Sequence, residues 1–193
     1  MIKILIASGF FANGTSGNIT WGSLAQVYDA FEIVGEAQQI GGNISQIHIY
    51  FNGDFTETNY NSRRVQSLAV SQQNTAGNNA IAGIDAGTAN TGAGNYRATV
   101  HKMITSPAWS PVRKYAYDMG YGAYNYLGTD QGVECANMQW KGTAAITQID
   151  VRGSSTNLLT SGTQLWLYGL KHQRVAVSGL LGPATITNGL IVP

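Results

Sequence analysis

The sequence predicts an all-β protein, an antiparallel two-sheet β-sandwich (jelly roll) with a C-terminal extended arm. Three observations predict it. Apolar residues recur with a period of two, turn residues punctuate them at short intervals, and no strand–helix–strand alternation appears. In Gln46-Ile47-His48-Ile49-Tyr50-Phe51, positions 47, 49 and 51 share one face while 46, 48 and 50 share the other, because successive side chains of a strand point oppositely. The same spacing groups Phe31 with Ile33, Tyr115 with Tyr117 and Met119, Ile149 with Val151, and Leu165 with Leu167. Asn13-Gly14, Asn52-Gly53 and Asn188-Gly189 tolerate positive φ and mark turns, Asn52-Gly53 suiting a hairpin. Leu24 to Ala30 is the best helical candidate, and it is short. About ten to twelve strands with short connections follow from these signals.

Two regions break the pattern. From Ser71 to Asn95 the chain is rich in Gly, Ala, Asn and Gln, with Asp85 its only charge. This predicts a long Gly/Asn-rich loop at about 71–95, holding one short strand around Ile81 to Ile84. After Lys171 the chain carries a single charge, Arg174, amid many apolar residues. The expected organisation is a sandwich domain over 1–171 and an apolar arm over 172–193. Such an arm must cover its apolar side chains on its own body or on another chain. The second is expected, with Val175, Val177, Leu180, Leu181, Ile186, Leu190 and Ile191 making the contact.

Composition excludes several functions. A chain of 193 residues and 20.6 kDa suits one domain. Cys135 is the only cysteine, so an intramolecular disulfide and a cysteine-built zinc site are both ruled out. Eleven Lys+Arg against ten Asp+Glu give a net charge of +1, and no basic stripe is present to neutralise phosphates, so no nucleic-acid partner is expected. In place of charge there are 24 Gly and 10 Tyr with many Asn, Gln, Ser and Thr, a polar surface suited to packing against neighbours or sugars. The apolar stretch Ile4 to Ala7 is too short for a membrane span and reads as neither anchor nor signal peptide.

No chemistry stands out. His48 and His101 sit in alternating strands and His172 opens the arm; no HxH, HxxxH or HExxH spacing joins them. Outward-facing strand histidines are expected. Glu32 with Glu36, or Asp54 with Glu57, could supply the facing carboxylates of a glycosidase, but the spacing is unspecific. Asp54, Glu57, Asn52 and Asn59 offer oxygens for a calcium ion, although their spacing matches no calcium loop and a solvated turn is expected. No GxSxG elbow exists, Cys135 reads as a buried inert thiol, and the glycines of GTANTGAGN lack a following lysine. No catalytic residue, cofactor or metal is therefore predicted. Trp21 and Trp140 read as core, while Tyr115, Tyr117, Tyr121, Tyr124 and Tyr126 read as half exposed and able to stack on sugars.

Three segments in fixed order carry a resemblance: SGNITWGSLAQVYDAFEIVGEA, QIHIYFNGDFTETNYNSRRV and KGTAAITQIDVRGSSTNLLTSGTQLWLYGLK. Together they resemble a family of small phage virion structural proteins with a β-sandwich body. The matching positions include Tyr28, then Asn52, Gly53, Asp54, Asn59 and Tyr60, then Ile146, Ile149, Leu165, Leu167, Tyr168, Gly169 and Lys171. The likeness covers about residues 16 to 70 and 140 to 171; the middle and the arm depart from it. It implies a non-enzymatic virion protein, and a capsid decoration (cement) protein on the outer shell is expected. Its implied partners are the major capsid protein and sister subunits, as a homo-oligomer such as a homotrimer. The alternative is a receptor- or carbohydrate-binding head module of a tail fibre or spike, contacting host glycans.

Overall fold

The computed structural model describes residues 1–12, 16–40, 45–68, 71–77, 81–86, 97–105, 107–118, 122–126, 130–153, 158–172, 185–187 and 190–192. The strands are β1 Ile2–Phe10, β2 Ser16–Gly17, β3 Ile19–Trp21, β4 Ala30–Ile40, β5 Ser45–Phe51, β6 Tyr60–Leu68, β7 Ser71–Gly77 and β8 Ile81–Ala86. They continue as β9 Arg97–Thr105, β10 Lys114–Asp118, β11 Gly122–Tyr126, β12 Asp130–Trp140, β13 Ile149–Gly153, β14 Leu158–Thr160, β15 Gln164–Lys171, β16 Thr185–Thr187 and β17 Leu190–Val192. One 3-10 turn, Glu57–Asn59, precedes β6, and no described residue lies in an α-helix. The protein is all-β, as its period-two pattern predicts.

An eleven-stranded sheet runs in the order β1-β15-β4-β9-β10-β12-β6-β7, with β11 on β12 and β14 between β4 and β2. A four-stranded sheet runs β3-β13-β5-β8. Alternation sorts each strand's residues between core and surface. In β4, Phe31 and Ile33 are fully buried; in β15, Leu165 and Leu167 are buried while Trp166 and Tyr168 face outward. From the smaller sheet come Ile47, Ile49 and Phe51 of β5 and Ile149 and Val151 of β13. All of these belong to one buried cluster, in which each large apolar side chain contributes about 1.5–3 kcal/mol of burial free energy.

Several expectations are corrected. The stretch 71–95 holds the short strand expected around Ile81 to Ile84, as β8 paired with β5, and a second that the sequence does not predict: β7 pairs with β6 from Ser62↔Gly77 to Leu68↔Ser71. Both are edge strands held by main-chain hydrogen bonds, so neither needs the apolar alternation that marks a central strand. Residues 78–80 and 87–96 lie outside the described residues. Asn52-Gly53 makes no hairpin. Both residues have positive φ, 54° and 68°, as a type I′ turn requires, yet the turn carries the chain from β5 of one sheet to β6 of the other. Gly169 lies inside β15, not at its end, and is glycine because a Cβ there would overlap the Tyr28 ring.

Leu24 to Ala30 is not helical. Leu24 is buried and its N–H donates to Thr147 O at 3.0 Å, while Gln26 Nε2 donates to the carbonyls of Leu24 and Ile146. In the arm, Val175, Val177, Leu180 and Leu181 lie outside the described residues. Ile186 in β16 pairs with Ile191 in β17, and Leu190 pairs with Thr187. Among the described residues this two-stranded hairpin pairs with no other strand.

Candidate functional site

The corner between β5 and β6 is densely hydrogen-bonded. The Asp54 carboxylate accepts from Trp140 Nε1 at 2.8 Å, from Asn59 Nδ2 at 3.0 Å and from Thr56 N at 3.2 Å. Burial alone would raise its pKa, but these donors outweigh burial and hold the carboxyl below its ordinary range. Tyr60 is fully buried, donates its hydroxyl to Asp54 O at 2.7 Å and accepts from Phe51 N. Asn52 Oδ1 accepts from Thr147 N and Gln148 N, while its Nδ2 donates to Ala145 O. Asp54 lies in the turn and is partly exposed, and both its oxygens accept N–H donors. Among the described residues no three His, Cys, Asp or Glu side chains lie close enough to hold a metal.

The outward face of the larger sheet combines aromatic, amide and charged groups. Glu32 of β4 bonds Lys3 Nζ of β1 at 2.7 Å with one oxygen and His101 Nε2 of β9 at 2.6 Å with the other. Burial would raise the Glu32 pKa, but the bonds and charges of Lys3 and His101 bring it below its ordinary value. Lys3 Nζ also sits 4.1 Å from the centre of the Tyr168 ring. Further along, Tyr115 and Tyr117 stack with centroids 6.0 Å apart and planes 10° apart. Gln139 Nε2 donates to Tyr115 Oη at 2.6 Å, and Asn61 Nδ2 donates to Gln139 Oε1. Tyr117, Trp109 and Trp166 are exposed, whereas Trp21 and Trp140 are core, as the sequence predicts. Tyr121 lies outside the described residues, as do the side chains of Tyr124, Tyr126 and Cys135.

The smaller sheet also has a polar outward face. Asp150 is 1% exposed and accepts from Thr20 Oγ1 and Gln148 Nε2. Arg152 lies 3.7 Å from the Phe55 ring centre, and Phe55 packs edge-on against Tyr50. His48 faces outward from β5 yet is buried, its Nδ1 3.0 Å from Tyr50 Oη and its Nε2 without a partner among the described residues. Burial lowers its pKa, opposed by the charge of Glu57. The expectation for His101 holds: it faces outward on β9. His172 is exposed, and its N–H donates to Asp29 Oδ2 at 2.6 Å where the arm begins.

Strand β1 carries a feature that sequence reasoning missed. It is the end strand of the larger sheet and leaves Ile2, Ile4, Leu5 and Phe10 exposed. A groove of about 290 Å³ adjoins its far end, lined by Phe10, Phe11, Leu165 and Trp166 together with Ser8 and Gln164. The signal is visible in IKILIASGFF, where apolar residues occupy both parities and only Lys3 is charged. Weighed only as a membrane segment, that run hides its other use. No helix among the described residues is long and apolar enough to cross a membrane. The chain matches no family model, no curated protein and no solved structure.

Proposed function

We propose that this chain is a non-enzymatic phage virion structural protein, a capsid decoration protein that binds the outer shell. Its body would be a jelly-roll sandwich, the chain passing repeatedly between the two sheets, and its partners the major capsid protein and sister subunits. The observation that carries this reading is a pair of apolar elements with an edge unpaired among the described strands, the outer side of β1 and the β16–β17 hairpin, on a body with few charges. An open edge is a template for another chain, and an isolated hairpin is marginal in water until something packs on it. The residues behind the resemblance to phage virion proteins also support it, since Tyr28, Asn52, Asp54, Tyr60 and Gly169 hold the body together.

A second reading, a receptor-binding head of a tail fibre or spike, draws on the stacked Tyr115 and Tyr117 and the exposed Trp166. Apolar ring faces beside amides suit host glycans. The two readings separate in one co-sedimentation assay, with full-length protein added to purified empty heads and to host envelope fragments. Decoration predicts saturable binding to heads, lost on deletion of residues 173–193. Binding to envelopes alone, or undiminished head binding by the truncated chain, overturns it.

A further inference from the structure

We infer that the β1 edge of one copy receives the β16–β17 hairpin of a sister copy, joining copies head to tail through added strands. The inference rests on the reading above, in which the arm works between chains, and names the surface that accepts it. On the receiving side, the free edge of β1 pairs with no described strand. Leu5 and Phe10 are 55% and 71% exposed, so apolar side chains flank that edge. Natural sheets protect long apolar edges with charges, proline or short length. β1 has nine residues, no proline and only Lys3, whose ammonium is turned onto Glu32 and Tyr168.

On the donating side, residues 185–193 read TITNGLIVP and contain no charged side chain, so docking would desolvate no ionised side chain. β16 and β17 pair only with each other among the described strands. One strand of the hairpin supplies the hydrogen-bonding groups that β1 lacks, in the manner of strand addition. The groove beside Phe10 offers apolar walls to the side chains that accompany it. Because donor and acceptor are different surfaces, the contact is heterologous, and repetition by a closing rotation yields a ring such as a trimer.

The test mixes two full-length variants and reads molar mass by light scattering. Ile4→Lys with Leu5→Lys charges the edge at exposed positions, and Ile186→Asp with Ile191→Asp places like charges on a cross-strand pair of the hairpin. Wild type is expected to associate with rising concentration, each variant to remain monomeric, and an equimolar mixture to double the monomer mass. If the lysine variant melts early, Phe10→Ser replaces it. A wild type that stays monomeric, a hairpin variant that still associates, or a mixture that stays monomeric beside an associating wild type each overturns the inference. Head binding by wild type without complementation sinks this contact and spares the decoration reading. Complementation without head binding does the reverse.

Discussion

Trp140 donates its indole Nε1 to Asp54 Oδ2 at 2.8 Å, tying the end of β12 to the turn that leaves β5. One carboxylate thereby fixes a core tryptophan and the passage between sheets. Asp54→Ala leaves Trp140 Nε1 and the Asn59 amide without their acceptor, and a loss of about 2–3 kcal/mol is expected in urea unfolding. Because the Asp54 pKa is lowered in the fold, its contribution is present above the ordinary carboxylate range and fades as pH falls through the folded value. Asp54→Ala should therefore lose less, relative to wild type, at pH 2.5 than at pH 7. An equal loss at both would contradict the linkage.

Gly169 and Tyr28 form a matched pair, the ring lying where a Cβ would be. Gly169→Ala should cost about 1–3 kcal/mol by overpacking. Adding Tyr28→Ala to it should cost less than the two single changes together, since the clash disappears with the ring. Strict additivity in this double-mutant cycle would refute the pairing.

His48 makes stability depend on pH near neutrality. Its pKa is lowered from 6.5 by burial, against the opposing charge of Glu57, so the unfolded chain takes up a proton before the folded one does. Stability from this group is complete above that ordinary value and falls as pH drops toward the folded one. His48→Gln should flatten the slope of unfolding free energy between pH 7.5 and pH 5, as roughly read from that window. An unchanged slope would show that another group carries it.

Glu32 anchors edge strand β1 through Lys3 and reaches His101 on the adjacent strand β9. With Lys3 half exposed, the ion pair is screened, and Glu32→Gln is expected to cost about 1 kcal/mol. Amide exchange in β1 should quicken more than in β9 or β12, because an edge strand opens first. Uniform exchange across these strands would count against the anchoring role.

Central strands were legible in the sequence because both their faces leave a mark. Phe31, Ile33, Leu165 and Leu167 alternate cleanly and occupy the core. β7 left no such mark and β8 only the short run around Ile81 to Ile84, since both strands are held by main-chain groups that every residue possesses. Asn52-Gly53 announced a turn but not its destination, which is set by Thr147, Gln148 and Ala145, almost a hundred residues away. The bonds of Asp54 to Trp140 and of Glu32 to His101 likewise join residues far apart along the chain, 86 and 69 positions. The β1 edge was hidden for another reason. Its apolar run resembles a core strand, and only its terminal place in the strand order leaves it uncovered.

Ile2 pairs with Lys171 and Phe10 with Gln164, so β1 must wait for a strand far along the chain before it gains its neighbour β15. Until then its isoleucines wait in water, and the larger sheet stays incomplete. Such distant pairing slows folding and prolongs the exposure of sticky nascent chain. Yield in the producing cell should accordingly respond to chaperone supply and growth temperature more than to the strength of the finished core.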